Sequence, residues 1–322
     1  MPQRRGSPFT GVSVVFRKEI ADHIGGMRMR VLEWLVLLTG IGAIYTAIQD
    51  LRTTTAEDPF LFLRLFTHAR SPLPSFVSVL VFLVPLVAIG LGFDSVNGEF
   101  NRRTLSRILA QPIYRDALLF GKFLACLATL AIALATLWLL VIGLGLVTLG
   151  VPPNSEEILR AGAFLIVAIT YGGLWLAVAI ACSVFFRSAA TSALTALGLW
   201  LLVSIVWPLL VEFVVTAIYP PDPAMLLFGG GPSLGSLELQ QRLSRLSPST
   251  LFGESVLGLL HPSTRALGPI FMSQLEGAVP GAPLGLGQSL LLIWPQVTGL
   301  LGAMVMLFVT AYVAFQRQEV RA

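Results

Sequence analysis

Charge is what this sequence has least of. Only 12% of its 322 residues are Asp, Glu, Lys or Arg, while 55% are hydrophobic; a soluble domain carries about 25% charged residues. So few charges cannot cover the outside of a soluble fold of this length. Disorder is excluded as well, because disordered segments are poor in aliphatic and aromatic residues. Metal-ligating residues are scarce too. Cys126 and Cys182 both sit in apolar stretches, and His23, His68 and His261 are the three histidines. A structural zinc site gathers four Cys or His ligands, so both cysteines read as small core residues rather than a metal or disulfide pair. The phosphate-cradling spelling Gly-x-x-x-x-Gly-Lys-Ser/Thr is missing: Gly121-Lys122 runs straight into Phe123. What is present is the composition of an integral membrane protein.

A helix needs roughly 20 apolar residues to cross the hydrocarbon core. Uncharged runs of that kind extend over Ser75 to Phe93, Phe123 to Val151, Ala161 to Phe186, Ser188 to Val211 and Gly277 to Gln316. The last is too long for one crossing, so its Gly/Pro-rich start is expected outside and its helix from Gln288 to Phe315. Val31 to Ile48 adds a sixth span, with Glu33 near its start. The fold class is thus an all-α polytopic membrane protein of six transmembrane helices, one permease-sized domain over residues 1–322. The break between the fourth and fifth spans rests on Arg187 and its small neighbours. Ahead of the first span, Phe16, Ile20, Ile24, Met27 and Val31 recur at helical spacing, while Arg17, Lys18, Asp22 and Arg28 fall elsewhere on the wheel. Residues 11–30 therefore read as an amphipathic helix in the membrane interface. The alternative is a ragged extension of the first span.

Lys and Arg concentrate on the cytoplasmic side of short loops. Fourteen of the 21 basic residues fall in the two termini, the connector after the second span and Arg187, and seven on the other side. Both termini are accordingly expected in the cytoplasm, and these charges report topology rather than a nucleic-acid partner. No cleavable signal peptide is expected, because the basic start runs about thirty residues before the first apolar core. Residues 219–287 form the long extracytoplasmic loop between the fifth and sixth spans. It opens with Tyr219-Pro-Pro-Asp-Pro, contains Gly229-Gly-Gly-Pro, and has the leucine spacing of a short helix only from Leu237 to Leu246.

The connector between the second and third spans, residues 94–117, is the most informative stretch. It is short, rich in Arg, and begins and ends at membrane helices. Leu105, Ile108 and Leu109 share a helical face, and Pro112 ends that helix and pushes Gln111 toward an extended conformation. By composition alone it is equally a solvated loop held at the bilayer by arginines.

Its residue order is more specific. Glu99, then Thr104-Leu105, the apolar pair Ile108 and Leu109, Gln111-Pro112-Ile113, Arg115 and a final Gly121-Lys122 resemble the signature of ABC-2 type permeases, the membrane subunits of ATP-binding-cassette exporters. Six spans, an interfacial helix before the first and two inside ends are similar to that family. Arg103 departs from it, standing where the family most often has Gly before Thr-Leu. The long loop is larger than in the plainest members and more like the gliding-motility and nitrous-oxide-reductase maturation permeases. The resemblance implies that the connector is a coupling helix seated in a groove of a cytoplasmic ATPase, with Glu99, Thr104, Leu105, Ile108, Leu109, Gln111, Pro112, Arg115, Gly121 and Lys122 as its residues. It further implies a bacterial cytoplasmic (inner) membrane, a second permease copy or a related chain alongside, and ATP and Mg bound by the partner, with no cofactor and no catalysis on this chain.

Other constellations compete. Ionisable or strongly polar groups in membrane helices are functional candidates, so Glu33, Glu212, Gln288 and Gln296 are candidates for a translocation path, although the glutamates also suit an interface and the glutamines suit helix packing. Gly231-Pro-Ser233-Leu-Gly235 has the spelling of a hydrolase nucleophile elbow, with Glu254 and His261 following in order. That motif needs a strand before the serine and a helix after it, and Gly229-Gly-Gly precedes it instead. A membrane-embedded hydrolase is therefore the first rival. An ion-coupled secondary carrier is the second, disfavoured by the lack of paired acidic residues or broken inverted repeats.

Overall fold

The computed structural model describes residues 11–26, 60–67, 75–101, 114–150, 152–220, 233–265, 267 and 283–317, with isolated positions between 30 and 45. Every regular element among them is helical: α1 (Val12–Gly25), α2 (Leu61–Thr67), α3 (Phe76–Gly92), α4 (Asn97–Asn101), α5 (Arg115–Leu149), α6 (Ser155–Phe185), α7 (Ala189–Leu201), α8 (Trp207–Ile218), α9 (Leu234–Ser244), α10 (Pro248–Leu260) and α11 (Leu286–Arg317). Five stretches among the described residues are long and apolar enough to cross a membrane: 76–101, 115–148, 155–185, 189–218 and 286–317. They correspond to the second to sixth expected spans. Most of the first, Val31 to Ile48, lies outside the described residues, and its described positions are helical.

The central element is α6. Tyr171 and Trp175 are fully buried, and the helix packs against α3, α5, α7, α10 and α11. A helix apolar on all sides is one enclosed by others. Close approach comes from Gly172 and Gly173, whose missing side chains leave room for Leu130 and Val84 on one side and Met304 and Leu127 on the other. The narrow break after α6 is where the sequence places it. Phe186 is extended, and the Ser188 hydroxyl caps α7 by accepting from Thr191 N.

Pro208 has a local consequence. The turn just before it, 202–206, is π-helical, and the Trp207 N–H reaches back to Leu202 O instead of Val203 O. The freed Val203 carbonyl accepts from the Ser247 hydroxyl at 3.1 Å, a standard way of re-satisfying an opened helical turn. Trp207 Nε1 also donates to Leu243 O at 2.9 Å.

Residues 219–287 contain more than the expected loop. Besides α9, the helix α10 folds back against α6 and α11. Phe252 is buried and stacks on Tyr171 at 4.5 Å between ring centres, and Phe164 and Phe66 continue the aromatic cluster.

Candidate functional site

The start of α5 is the junction of one end of the molecule. Its first turns present three faces. Asp116, Phe120 and Phe123 meet the end of α11: Tyr312 Oη donates to Asp116 Oδ1 at 2.9 Å, Gln316 Nε2 donates to the same oxygen, and both phenylalanines pack on Phe308. Gly121 meets α1. A Cβ there would lie 2.8 Å from Val15 Cβ, closer than real contacts allow, so only glycine lets the two helices touch.

The third face carries charge. Lys122 is only 3% exposed at its side chain, and its ammonium lies 2.9 Å from Glu19 Oε1 of α1 and 2.8 Å from Glu99 Oε1 of α4. Lys18 sits at the rim of the same group, 2.9 Å from Glu19, 3.2 Å from Asp22 and 3.7 Å from Glu99. These two are the only lysines of the chain. Burial works against the Glu19 carboxylate, but Lys122 and Lys18 outweigh it and hold its pKa below the usual range. For Lys18 burial also opposes the charge, and Glu19, Asp22 and Glu99 together raise its pKa. One turn further on, His23 Nε2 lies 3.2 Å from Cys126 Sγ. Glu19–Lys122 and His23–Cys126 share one sequence offset of 103, so α1 and α5 advance side by side. Burial lowers the His23 pKa, keeping the imidazole neutral beside the thiol.

The beginning of the connector is anchored on a second side. Ser183 Oγ accepts from Val96 N at 3.0 Å and Asn97 N at 3.2 Å; Asn97 Nδ2 donates to Phe93 O and Phe186 O, and Asn101 Nδ2 to Arg187 O. Arg187 also lies over the Phe100 ring, 5.4 Å from its centre. The first residues of the connector are thereby tied to the α6–α7 break, and Glu99 is tied to α5 and α1.

Of the signature residues, the structure brings Glu99 and Lys122 into direct contact and places Gly121 against α1, while Arg115 opens α5. Thr104, Leu105, Ile108, Leu109, Gln111, Pro112 and Ile113 lie outside the described residues, as does Glu33. The path candidates separate. Glu212 and Gln288 are exposed on the single chain, whereas Gln296 is buried and donates to Glu254 Oε2 at 2.8 Å. Glu254 in turn holds Arg245 at 2.9 Å and so is not aimed at His261. Ser233 caps α9, accepting from Ser236 N at 3.3 Å, the role of a helix cap rather than a nucleophile. His261 is driven toward its neutral form by burial and by Arg64.

Sequence reasoning missed Glu19 and His23. The face of α1 that meets protein is centred on Val15 and Glu19, with Phe16 and Ile20 half-buried at its edge and Ile24 exposed. The available signal was the i,i+4 pair Glu19/His23 opposite the i,i+4 pair Lys122/Cys126.

The family model described as ABC-2 family transporter protein matches residues 13–320. The chain is similar to the probable ABC transporter permease protein NosY of Pseudomonas aeruginosa, 31% identical over 195 residues, covering 59% of this chain and 65% of that protein. It is also similar to the protein of the same description from Stutzerimonas stutzeri, 30% identical over 201 residues, 61% of this chain and 67% of that one. The match to the first therefore spans just under two thirds of its length.

Proposed function

Because the chain belongs to the ABC-2 transporter family and is a transmembrane permease of the ABC transporter type, we propose that it forms the translocation path of an ATP-driven transporter and is moved by a separate cytoplasmic ATPase subunit seated on residues 94–117. The observation that carries the reading is the Lys122 junction. The two ends of the family signature, Glu99 and Lys122, are 2.8 Å apart and share their charge with Glu19. Residues 96–101, held this way at the start of the connector, cannot shift without pulling on α1 and α5, and through Ser183 and Arg187 also on the α6–α7 break. Packed elements pass on such movements as rigid bodies. In this reading α1 and both termini lie in the cytoplasm, α9 and α10 lie outside, and the membrane is the bacterial inner membrane.

A second copy, or a related chain, completes the path. Glu212 and Gln288, exposed on the single chain, and Glu33 are the polar groups proposed to line it, together with Gln296, which is buried and bonded to Glu254. ATP and Mg belong to the partner, since the sequence carries no phosphate-cradling loop of its own. The test is co-purification. The chain alone is expected to hydrolyse no nucleotide, and hydrolysis is expected once a nucleotide-binding subunit co-purifies with it. Hydrolysis by the purified chain alone contradicts the reading.

A further inference from the structure

At the end of the molecule away from Lys122, the first turns of α6 hold several segments together. Arg160 has no exposed surface. Its Nη1 donates to Leu259 O at 2.9 Å and to Ser289 Oγ at 3.0 Å; Nη2 donates to Leu284 O; Nη2 and Nε donate to Glu156 Oε1 at 2.8 and 3.0 Å. One guanidinium therefore joins α6 to the last turn of α10, to Leu284 two residues ahead of α11 and to the first turn of α11. Its planar fork suits this arrangement, because it offers five donors and no acceptor. The Leu259 carbonyl is among those that the end of a helix leaves without an intrahelical partner.

The partners differ in kind, and that difference makes the contact releasable. The only charge among them, Glu156, sits on α6 itself, one turn before Arg160, and is partly exposed. If α10 and the start of α11 move away, the ion pair stays with α6 and becomes hydrated. What is lost is hydrogen bonds to neutral acceptors, which water can replace once the guanidinium is exposed, and not the partner of a buried charge, whose loss costs more than that of any one of them. The remaining grip of α10 on α6 is largely apolar, led by Phe252 on Tyr171.

We infer that Arg160 is a positioning residue for transport, a clasp that closes α10 over the extracytoplasmic end of the path and opens by releasing the Leu259 and Leu284 carbonyls. The orientation, though not the clasp, rests on the reading proposed above.

Ser255 reports on the clasp. It is fully buried on the face of α10 that carries Phe252 and Leu259, and its hydroxyl bonds only within its own helix, so Ser255→Cys changes little. In intact cells the Cys at 255 is expected to react slowly with a membrane-impermeant maleimide while Arg160 is present. In Arg160→Gln the rate is expected to rise at least about tenfold, the change that 1.4 kcal/mol of lost closure produces, with Arg160→Lys in between. Cys126 and Cys182 should stay unreactive to a permeant maleimide throughout. If Arg160→Gln does not accumulate in the membrane, Ser289→Ala removes one partner of the clasp without disturbing the ion pair and is judged by the same rise, several-fold in size. An unchanged rate at 255 overturns the inference. So does simultaneous labelling of Cys126 and Cys182, which makes Arg160 a support of the whole fold. Acceleration seen with the permeant reagent alone leaves the clasp standing and overturns the proposed orientation instead.

Discussion

Lys122 and Glu99, the two ends of the family signature, meet at 2.8 Å, and the same ammonium lies 2.9 Å from Glu19. The geometry makes one buried cation the common partner of two carboxylates from different elements. Removing one member of a buried pair leaves an uncompensated charge and costs about 3–5 kcal/mol. Lys122→Met takes the buried cation away from both carboxylates and leaves the half-exposed Lys18 at their rim, whereas Glu19→Gln leaves the Lys122–Glu99 pair intact. Lys122→Met is therefore expected to lower the thermal stability of the detergent-solubilised protein clearly more than Glu19→Gln. Adding Glu19→Gln to Lys122→Met should recover part of the loss. Equal effects of the two single changes would show that the cluster does not act as a unit.

Gly121→Ala places a methyl group 2.8 Å from Val15 Cβ and Cγ1. Overpacking of this kind costs about 1–3 kcal/mol. The defect should appear as faster proteolysis or amide exchange of α1, and Val15→Ala should relieve it. If Val15→Ala adds its own loss instead, the contact between the two helices is not as described.

The docking of α1 should depend on pH in a stated direction. His23 has a lowered pKa in the docked state, so its contribution is complete above its ordinary value of 6.5 and is lost as pH falls through the depressed value. Asp94, Glu19, Asp22 and Lys122 are the charges around it. Glu19, also lowered, contributes fully above 4.5 and loses its share further down. Lys18, raised, contributes below 10.5 and loses its share as pH climbs through the higher value, a small effect because it is half-exposed. Amide exchange of residues 12–25 is expected to be slowest between about pH 6.5 and 10 after correction for intrinsic rates, and to quicken on acidification. His23→Gln should remove the first part of that acid response.

Ser233→Ala tests the hydrolase rival. The change removes a helix cap, worth about 1 kcal/mol, and is expected to leave transport-linked function intact. A loss of function with normal membrane insertion would speak for a nucleophile at Ser233 after all.

The second to sixth spans were legible because a long apolar run admits few other structures, and the break at Arg187–Ser188 was legible from a charge and its small neighbours. Glu99 and Gly121-Lys122 were legible through their order in the chain. Glu19 was not, since a carboxylate on an amphipathic helix looks solvated until its partner, 103 residues away, is brought beside it. Arg160 was read only as a topology charge, because its acceptors are mostly backbone carbonyls, which no side-chain pattern reveals. Helix α10 escaped for another reason: 13 residues are too few to cross a bilayer, and Gly- and Pro-containing flanks disguise the helix as loop.

The most direct test of the central claim is capture of the ATPase subunit by connector variants. Leu105→Asp, which puts a charge on the connector's apolar face, is expected to abolish capture. Glu99→Ala and Arg115→Ala are expected to weaken it or to separate nucleotide hydrolysis from transport, with losses up to the roughly 2–5 kcal/mol of a truncated interfacial charge pair. Arg242→Ala, a change at a largely exposed side chain on α9, is the control and should bind and couple normally. If the connector variants capture and couple as well as the unaltered chain while Arg242→Ala does not, the ATPase sits at the other end of the molecule and both the topology and the mechanism proposed here are wrong.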